Sequence, residues 1–350
     1  MDTPLFRIRE KGKFGFINQA GEVVIEPQYL EAEDFHNGFS KVRLNNKLVP
    51  LDNLGRLLMK NLYNSIGDYE EHLAKVQLVN KWGYIDERGS IVVDIQFDAA
   101  KNFSEGLAAV CVDDKWGYIN QKGEFVIEPQ FVQAGEFKNA LAPISYEIGG
   151  PTAFIDPSGK EKIKAIFEEA YPFQGEIATV VKNGRWGFID TKGDFVIRPQ
   201  FDVEEEFIPG EIYEDLSIII VNKAYGFVNT KGKVIVEPCY EYAGDFNDGF
   251  ALFKQNGKYG YLNTQGKEVI PAQYNDAAFF ANGLAPVKQD DQWGFINSSG
   301  EIKIPFQFDQ VTPFKSGLSS VIKDSKWSYI DTTGKEIWRE KEVEDQVIVH

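Results

Sequence analysis

The chain has 350 residues and a formal net charge of −16 at pH 7, and its apolar residues include 27 Phe, 15 Tyr and 6 Trp. So acidic a chain lacks the basic surface that non-specific binding to nucleic acid or to an anionic membrane requires, whereas a protein partner, and a basic one in particular, is compatible with it. No apolar run in the sequence approaches the roughly 20 residues that a membrane-spanning helix needs.

One aromatic-Gly-aromatic pattern returns along the chain at a fixed spacing. Seven of the nine steps between copies are 34 residues long, and the other two are 36 and 39. Such a period is typical of repeat architectures, in which neighbouring units share one core. We therefore expect a single array over residues 5–338 and a charged tail over 339–350. The anchor positions, which number the copies from first to tenth, are Phe14, Leu48, Trp82, Trp116, Thr152, Trp186, Tyr225, Tyr259, Trp293 and Trp327.

Each copy begins with a predicted strand nine residues before its anchor. In the fourth copy this strand covers residues 107–110, and, as in most copies, the residue after the leading apolar one is small. A two-residue turn follows, Asp113-Asp114 in this copy and Asn183-Gly184 in the sixth. Such pairs favour a type I′ turn, because both central residues need a positive φ. The pattern predicts a hairpin that leads into the anchor strand.

The anchor strand is apolar on both of its faces. Trp116 and Tyr118 share one face of it, and Ile119 lies on the other, so we expect neighbouring sheets to cover both. The small residue after the anchor, Gly117 here, predicts a close approach by the backbone or a ring of the neighbouring copy.

A second turn has the same two residues in every copy. Asp or Asn stands four residues after the anchor and Gly seven residues after it in all ten copies, as Asn120 and Gly123 do in the fourth. This spacing suits a type I turn that is closed by a glycine bulge, with the Asx side chain bonded to the turn backbone. We expect the turn to fix the strand register.

The third strand, residues 124–127 in the fourth copy, often ends at a proline such as Pro129. Aromatic residues follow 15 and 21 positions after the anchor in the nine copies long enough to have them. Between these rings runs a short connector, for example residues 98–102, which we predict to be a helical turn or an irregular loop. One unit is then a three-stranded antiparallel meander with a connector.

The predicted fold is all-β, with ten tandem three-stranded meanders stacked in an open, curved or superhelical array. A closed propeller-like ring is the alternative. We favour the open stack because propellers usually have about four to eight blades of four strands each.

Several motifs of the copies resemble the bacterial WG repeat family. They are Lys-Trp-Gly-Tyr-Ile followed by Asp or Asn, the Gly of the second turn, Val-Ile-x-Pro-Gln-Phe and Gly-Leu-Ala-x-Val. The ten anchors take the family's Trp position, and the resemblance covers essentially the whole chain. It implies an interaction module without common catalytic residues.

The sequence contains no motif typical of an enzyme or a metal site. His36, His72 and His350 do not cluster with Cys, Asp or Glu at metal-ligand spacing, so we expect no cofactor and no catalysis. The favoured function is a non-catalytic protein-binding scaffold. A module that binds glycans or the cell envelope through the anchor rings is the alternative, although core packing explains those rings better. A hydrolase with an acidic central site is the third hypothesis.

One stretch stands out as a candidate docking loop. The connector before the seventh copy is five residues longer than in the other copies, and it lies beside an acidic run. A charge run of this kind is also typical of a solvated loop. The predicted binding residues are Glu204, Glu205, Glu206, Glu211, Glu214 and Asp215.

The expected location is the cytoplasm. The first residues have no basic segment followed by an apolar one, so no signal peptide is visible, unless a leader precedes this sequence. Cys111 and Cys239 occupy different positions of unrelated copies, which does not suggest a disulfide framework.

Overall fold

The computed structural model describes residues 4–44, 46–58, 63–203 and 210–341. Every regular element within these ranges is a β-strand, and successive strands pair antiparallel. No described segment forms a helix with the length and apolar character that crossing a bilayer requires. The prediction of an all-β fold built from tandem repeats is confirmed.

The strands are numbered in chain order. The first two copies contain β1 (Phe6–Glu10), β2 (Lys13–Ile17), β3 (Val23–Tyr29), β4 (Phe39–Leu44) and β5 (Lys47–Asp52). The third and fourth copies contain β6 (Ser65–Glu70), β7 (Leu73–Leu78), β8 (Lys81–Asp86), β9 (Ile91–Phe97), β10 (Ala99–Ala100), β11 (Leu107–Val112), β12 (Lys115–Asn120) and β13 (Phe125–Phe131). The fifth and sixth contain β14 (Gln133–Ala134), β15 (Ala142–Ser145), β16 (Thr152–Ile155), β17 (Glu161–Phe167), β18 (Glu169–Ala170), β19 (Ile177–Lys182), β20 (Arg185–Asp190) and β21 (Phe195–Asp202).

The remaining four copies repeat this order. The seventh and eighth contain β22 (Leu216–Val221), β23 (Ala224–Asn229), β24 (Val234–Tyr240), β25 (Tyr242–Ala243), β26 (Phe250–Gln255), β27 (Lys258–Asn263) and β28 (Glu268–Tyr274). The ninth and tenth contain β29 (Asp276–Ala277), β30 (Leu284–Gln289), β31 (Gln292–Asn297), β32 (Ile302–Phe308), β33 (Gln310–Val311), β34 (Leu318–Lys323), β35 (Lys326–Asp331) and β36 (Glu336–Arg339).

The predicted three-stranded meander is observed in the first and seventh copies, but the third to sixth and the eighth to tenth copies form four-stranded sheets. The described part of the second copy forms a two-stranded sheet. The extra strand comes from the connector. In the fourth copy it is β10, whose Ala99 pairs with Cys111 and whose Ala100 pairs with Val110. The edge of β11 supplies carbonyl groups that this backbone bonds to, as Lys101 N does to Ala109 O at 2.9 Å. The prediction of a helical turn or an irregular loop is therefore wrong for this segment.

Both predicted turns are present in the fourth copy. Asp113 and Asp114 have φ values of 49° and 60°, as a type I′ turn requires. Asn120 Oδ1 accepts hydrogen bonds from the backbone N–H groups of the second turn, including that of Lys122 at 2.9 Å. Gly123 closes this turn with a φ of 83°. The turn thus sets the register between β12 and β13, as expected.

The close approach at Gly117 has a different origin from the one predicted. Trp116 pairs with Phe131, whereas Tyr118 pairs with Ile127, so β13 carries a bulge opposite Gly117. A Cβ atom on Gly117 would lie 2.5 Å from the carbonyl oxygen of Ile127. The backbone that comes close therefore belongs to the copy's own third strand and not to the neighbouring copy.

Neighbouring copies complete each other's cores. Tyr118 of the fourth copy is fully buried in a cluster that also contains Ile144 and Ala153 of the fifth copy. The turn glycine of the fourth copy, Gly123, packs so closely on the third copy that a Cβ atom on it would lie 3.0 Å from Val93 Cγ1. Burying one large apolar side chain in this way contributes about 1.5–3 kcal/mol to stability.

The chain divides into two compact units. Unit 1 comprises Met1–Met59, Phe246–Asn263 and Lys267–His350, and unit 2 comprises Lys60–Asp245 and Thr264–Gly266.

Within unit 1 the first copy packs against the tenth. Phe6 and Ile8 share one buried cluster with Tyr329 and Trp338. The hydroxyl of Tyr329 donates a hydrogen bond to Arg7 O at 2.9 Å. Within unit 1, these two copies thus cover each other's apolar faces.

Candidate functional site

The structure describes only part of the acidic loop that the sequence singled out. Glu204, Glu205 and Glu206 lie outside the described residues. Glu214 and Asp215 are exposed, with φ values of 52° and 63°, and form the tip of a two-residue turn. The first copy has a turn at the corresponding place, so the conformation of these two residues belongs to the repeat and does not by itself mark a binding loop.

Glu211 lies near a second carboxylate, that of Asp245. Burial raises the pKa of Asp245 to about 6, and the charge of Glu211 raises it as well. Two carboxylates are the beginning of the acidic centre that a hydrolase would need, and the hydroxyl of Tyr213 donates a hydrogen bond to Glu211 Oε2 at 3.4 Å. In the described part of the chain, no group of three or more His, Cys, Asp or Glu residues is arranged to hold a metal ion.

Two of the anchor rings, those of Trp186 and Trp82, are packed against the protein and are not free platforms. Trp186 is fully buried, and its Nε1 donates a hydrogen bond to Asp202 O at 3.1 Å. Trp82 is half-buried, and the ammonium group of Lys75 lies 5.7 Å from its ring centroid. A ring whose face is occupied by a cation has little surface left on which a sugar could stack.

A cavity of about 630 Å³ opens in unit 1 between the first and the tenth copies. Its volume falls in the range of about 300–1,000 Å³ that is typical of ligand pockets, and its walls mix aromatic with polar side chains. The lining residues are Pro4, Leu5, Phe6, Arg7, Asp34, Phe35, Asn37, Gly38, Asn53, Phe279, Thr312, Pro313, Phe314, Lys315, Ser316, Leu318, Ser320, Trp327 and Tyr329.

The cationic wall of this cavity is held by Arg7 on β1. Arg7 Nε lies 3.2 Å from Asp34 Oδ1, and the guanidinium carbon lies 5.3 Å from the centroid of the Phe14 ring. Lys315 is a second cation of the lining, so two cations face one carboxylate. The cavity is therefore mildly positive in a chain whose net charge is −16.

The apolar wall is built from rings with fixed orientations. Trp327 Nε1 donates a hydrogen bond to Ser320 Oγ at 2.7 Å, and the Trp327 ring lies 5.6 Å from that of Tyr329. Phe279 is 43% exposed and projects from the eighth copy's connector into the same cavity. Two turn tips, at Asn37 and Ser316, border the opening. The result is a hydrophobic recess with hydrogen-bonding groups at its rim.

Sequence reasoning did not find this cavity. Its walls come mainly from the first and the last copies of the chain, and the repeat pattern does not predict that these copies pack against each other. One signal was present: Phe279 stands twenty residues after its anchor, where the first and second copies have Asp34 and Asp68. An apolar residue in a place that is acidic in other copies indicates a local change of surface.

A family model described as "WG containing repeat" matches the chain eight times. The matches begin at, or one residue after, the anchors of the first and the third to ninth copies. They cover residues 14–47, 82–116, 116–147, 153–186, 186–207, 225–259, 259–293 and 293–327. No curated protein matches the chain.

Among solved structures, the chain is similar to one described as the crystal structure of the eukaryotic initiation factor. It is 12% identical to that protein, with 97% of this chain and 96% of the other covered and a TM-score of 0.50. Two further structures match with lower TM-scores. The dihydro-heme d1 dehydrogenase NirN is 10% identical, with 97% and 75% covered and a TM-score of 0.41. The virginiamycin B lyase from Staphylococcus aureus is 14% identical, with 78% and 98% covered and a TM-score of 0.35. The first likeness concerns the fold alone, and the other two carry no argument.

Proposed function

Because the chain belongs to the WG repeat family, whose model matches most of its copies, we propose that it is a non-catalytic protein-binding scaffold. The observation that carries the proposal is the cavity of about 630 Å³ in unit 1, with its aromatic floor and polar rim. In this proposal, the cavity receives an apolar side chain from an extended segment of the partner protein.

The chemistry of the cavity suits such a segment. Phe279 and Trp327 offer ring surface to an apolar side chain, and anchors of this kind supply most of the binding energy in many interfaces. Asn37 and Ser316 stand at the rim, where amide and hydroxyl groups can bond to a peptide backbone. Arg7 and Lys315 favour an acidic residue next to the anchor side chain, because they outnumber the single carboxylate of the lining.

The basic partner that the sequence predicts would contact a different surface. The net charge of −16 still attracts a basic protein at long range. The residues at the cavity would then select the docking segment at close range.

Selection from a peptide library displayed on phage, with the full chain as bait, tests the proposal. The expected peptides share one large apolar residue with an acidic neighbour. Phe279→Ala should weaken their binding about tenfold or more, since burial of a phenyl ring contributes about 1.5–3 kcal/mol. Phe125→Ala is the matched control, because Phe125 lies in unit 2 and is exposed to a similar degree, 37% against 43%. Equal losses in the two variants, or no enriched peptide at all, would reject the site.

A glycan or cell-envelope ligand is the second candidate. It is favoured by the presence of two aromatic rings, Phe279 and Trp327, in the same cavity. A panel of soluble oligosaccharides, titrated in place of the peptides, separates the two candidates. The cytoplasm remains the proposed location, and cell fractionation tests it.

A further inference from the structure

A second cavity, of about 380 Å³, lies in unit 2 where the fourth, fifth and sixth copies meet. It shares no residue with the cavity of unit 1. Its lining residues are Lys101, Trp116, Gln133, Ala134, Gly135, Pro143, Ile144, Thr152, Ala170, Tyr171 and Pro172.

This cavity exists because two repeat positions are small in the same place. The anchor of the fifth copy is Thr152, whereas the fourth and sixth copies have Trp116 and Trp186. Nineteen residues after the preceding anchor stands Gly135, at the position that Lys101 and Tyr171 occupy in the adjacent copies. The fifth sheet therefore lacks both the ring and the long side chain that would fill this space.

The sixth copy shows what normally fills the equivalent space. Trp186 is fully buried there, and Tyr171 packs against the same cluster. In the fifth copy the corresponding volume is open, and Trp116 and Tyr171 both line it.

The walls around the gap are fixed, so the backbone has not collapsed into it. Gly135 N donates to Pro143 O at 2.7 Å, and a Cβ atom on Gly135 would lie 2.5 Å from Pro143 Cγ. The hydroxyl of Tyr118 donates to Gly135 O at 2.9 Å. Thr152 is paired with strands on both of its sides, through Ser145 and Phe167.

One charged group borders the gap. The Nζ atom of Lys101 lies 5.9 Å from the centroid of the Trp116 ring. Burial lowers the pKa of Lys101, which the negative charge of Glu136 partly counteracts. Within the described residues, no carboxylate lies at ion-pair distance from this ammonium group. A partly buried cation that has no carboxylate at ion-pair distance is stabilised by a ligand that brings one.

We propose that this cavity is a binding site for a planar aromatic carboxylate. The ring of the ligand occupies the space of the missing anchor ring, between Trp116 and Tyr171, and its carboxylate pairs with the ammonium group of Lys101. The site is independent of the proposed peptide site, because it lies in the other unit and takes a ligand of another class.

The probe for the experiment is indole-3-propionate, titrated into the full chain by isothermal calorimetry and by saturation-transfer NMR. Indole, which lacks the carboxylate, and cyclohexanecarboxylate, which lacks the planar ring, are the comparison compounds. We expect saturable binding with a dissociation constant on the order of 1 mM, as suits a small ligand in an open pocket, and at least fivefold weaker binding of both comparison compounds.

Two substitutions locate the ligand. Lys101→Gln removes the cation and should weaken the binding of indole-3-propionate about fivefold, while the binding of indole should not change. Lys254→Gln is the matched control, because Lys254 Nζ lies 5.1 Å from the centroid of the Tyr259 ring in unit 1, and the copy that follows keeps its anchor ring. Equal effects of the two substitutions would overturn the proposal.

A third substitution fills the gap from within. Thr152→Trp restores the residue type of the anchor position and should abolish binding, whereas Thr152→Val, which keeps the volume of the side chain, should preserve it. Circular dichroism checks that the variants are folded. If Thr152→Trp does not fold, the binding constants of the two lysine variants decide whether the probe binds at this site. Undiminished binding by folded Thr152→Trp, or no saturable binding by the unsubstituted chain, would refute the site, and Phe279→Ala should leave probe binding unchanged.

Discussion

Tyr118→Phe tests how neighbouring copies are joined. Tyr118 is fully buried, and its hydroxyl donates a hydrogen bond of 2.9 Å to Gly135 O in the connector that leads to the fifth copy. Burial raises the pKa of Tyr118, so the hydroxyl keeps its proton at neutral pH. The fifth and sixth copies have Phe154 and Phe188 at this position, both fully buried, so a phenyl ring fits the site.

The substitution therefore removes one hydrogen bond with little change in packing. It leaves the carbonyl of Gly135 without that donor, which costs about 1–2 kcal/mol. For a unit of this size, that loss corresponds to a fall of about 2–8 °C in the melting temperature if the unit unfolds cooperatively. Differential scanning calorimetry measures it.

Tyr146→Phe is the control for this experiment, because Tyr146 is 43% exposed and its hydroxyl can bond to water. We expect no measurable change in that variant. If the melting temperature of Tyr118→Phe equals those of the unsubstituted chain and of this control, the link between the two copies does not depend on the hydroxyl. That result would refute the prediction.

Two further predictions concern the turns and the pH dependence. Gly123→Ala should destabilise the chain by more than Gly106→Ala, as measured by urea unfolding. Both glycines have a positive φ, of 83° and 79°, but only at Gly123 does an added Cβ meet a neighbouring side chain; similar losses would show that the neighbour moves aside. Burial raises the pKa of Asp245 from 3.8 to about 6, so the folded state binds this proton more tightly than the unfolded state does. Its contribution to stability is present below about pH 4 and is lost as the pH rises to about 6. Asp245→Asn should remove this part of the dependence of the melting temperature on pH. If the curves of melting temperature against pH for the variant and the unsubstituted chain are parallel, the assignment to Asp245 is wrong.

The parts of the fold that depend on local chemistry were predictable from single copies. Asn120 and Gly123 form their turn because the Asx side chain and a glycine with positive φ stand at the required spacing. Asp113 and Asp114 form the hairpin turn for a similar reason. The repetition of these signals in ten copies identified the strands between them.

The fourth strand could not be predicted in the same way. Ala99 and Ala100 are too few to show alternation, and they form a strand only because β11 presents an unpaired edge beside them. The close approach at Gly117 was expected, but its partner was assigned wrongly, because a bulge in β13 cannot be deduced from spacing.

The candidate sites also combine features that the local sequence shows with features that only tertiary contacts decide. The acidic loop was chosen for its charge, and its described part forms an ordinary turn at Glu214 and Asp215. The loss of the anchor ring at Thr152 was visible in the sequence. That the space stays open was decided by the contact between Gly135 and Pro143, which are eight residues apart and meet through a strand pairing.

By itself, the sequence determined the repeat, its turns, the three strands of the meander and their apolar faces, because each of these depends on residues within one copy. The tertiary structure alone decided that the first copy packs against the tenth and that two cavities remain between copies. Side chains that are distant in the chain form those walls, and only folding brings them together.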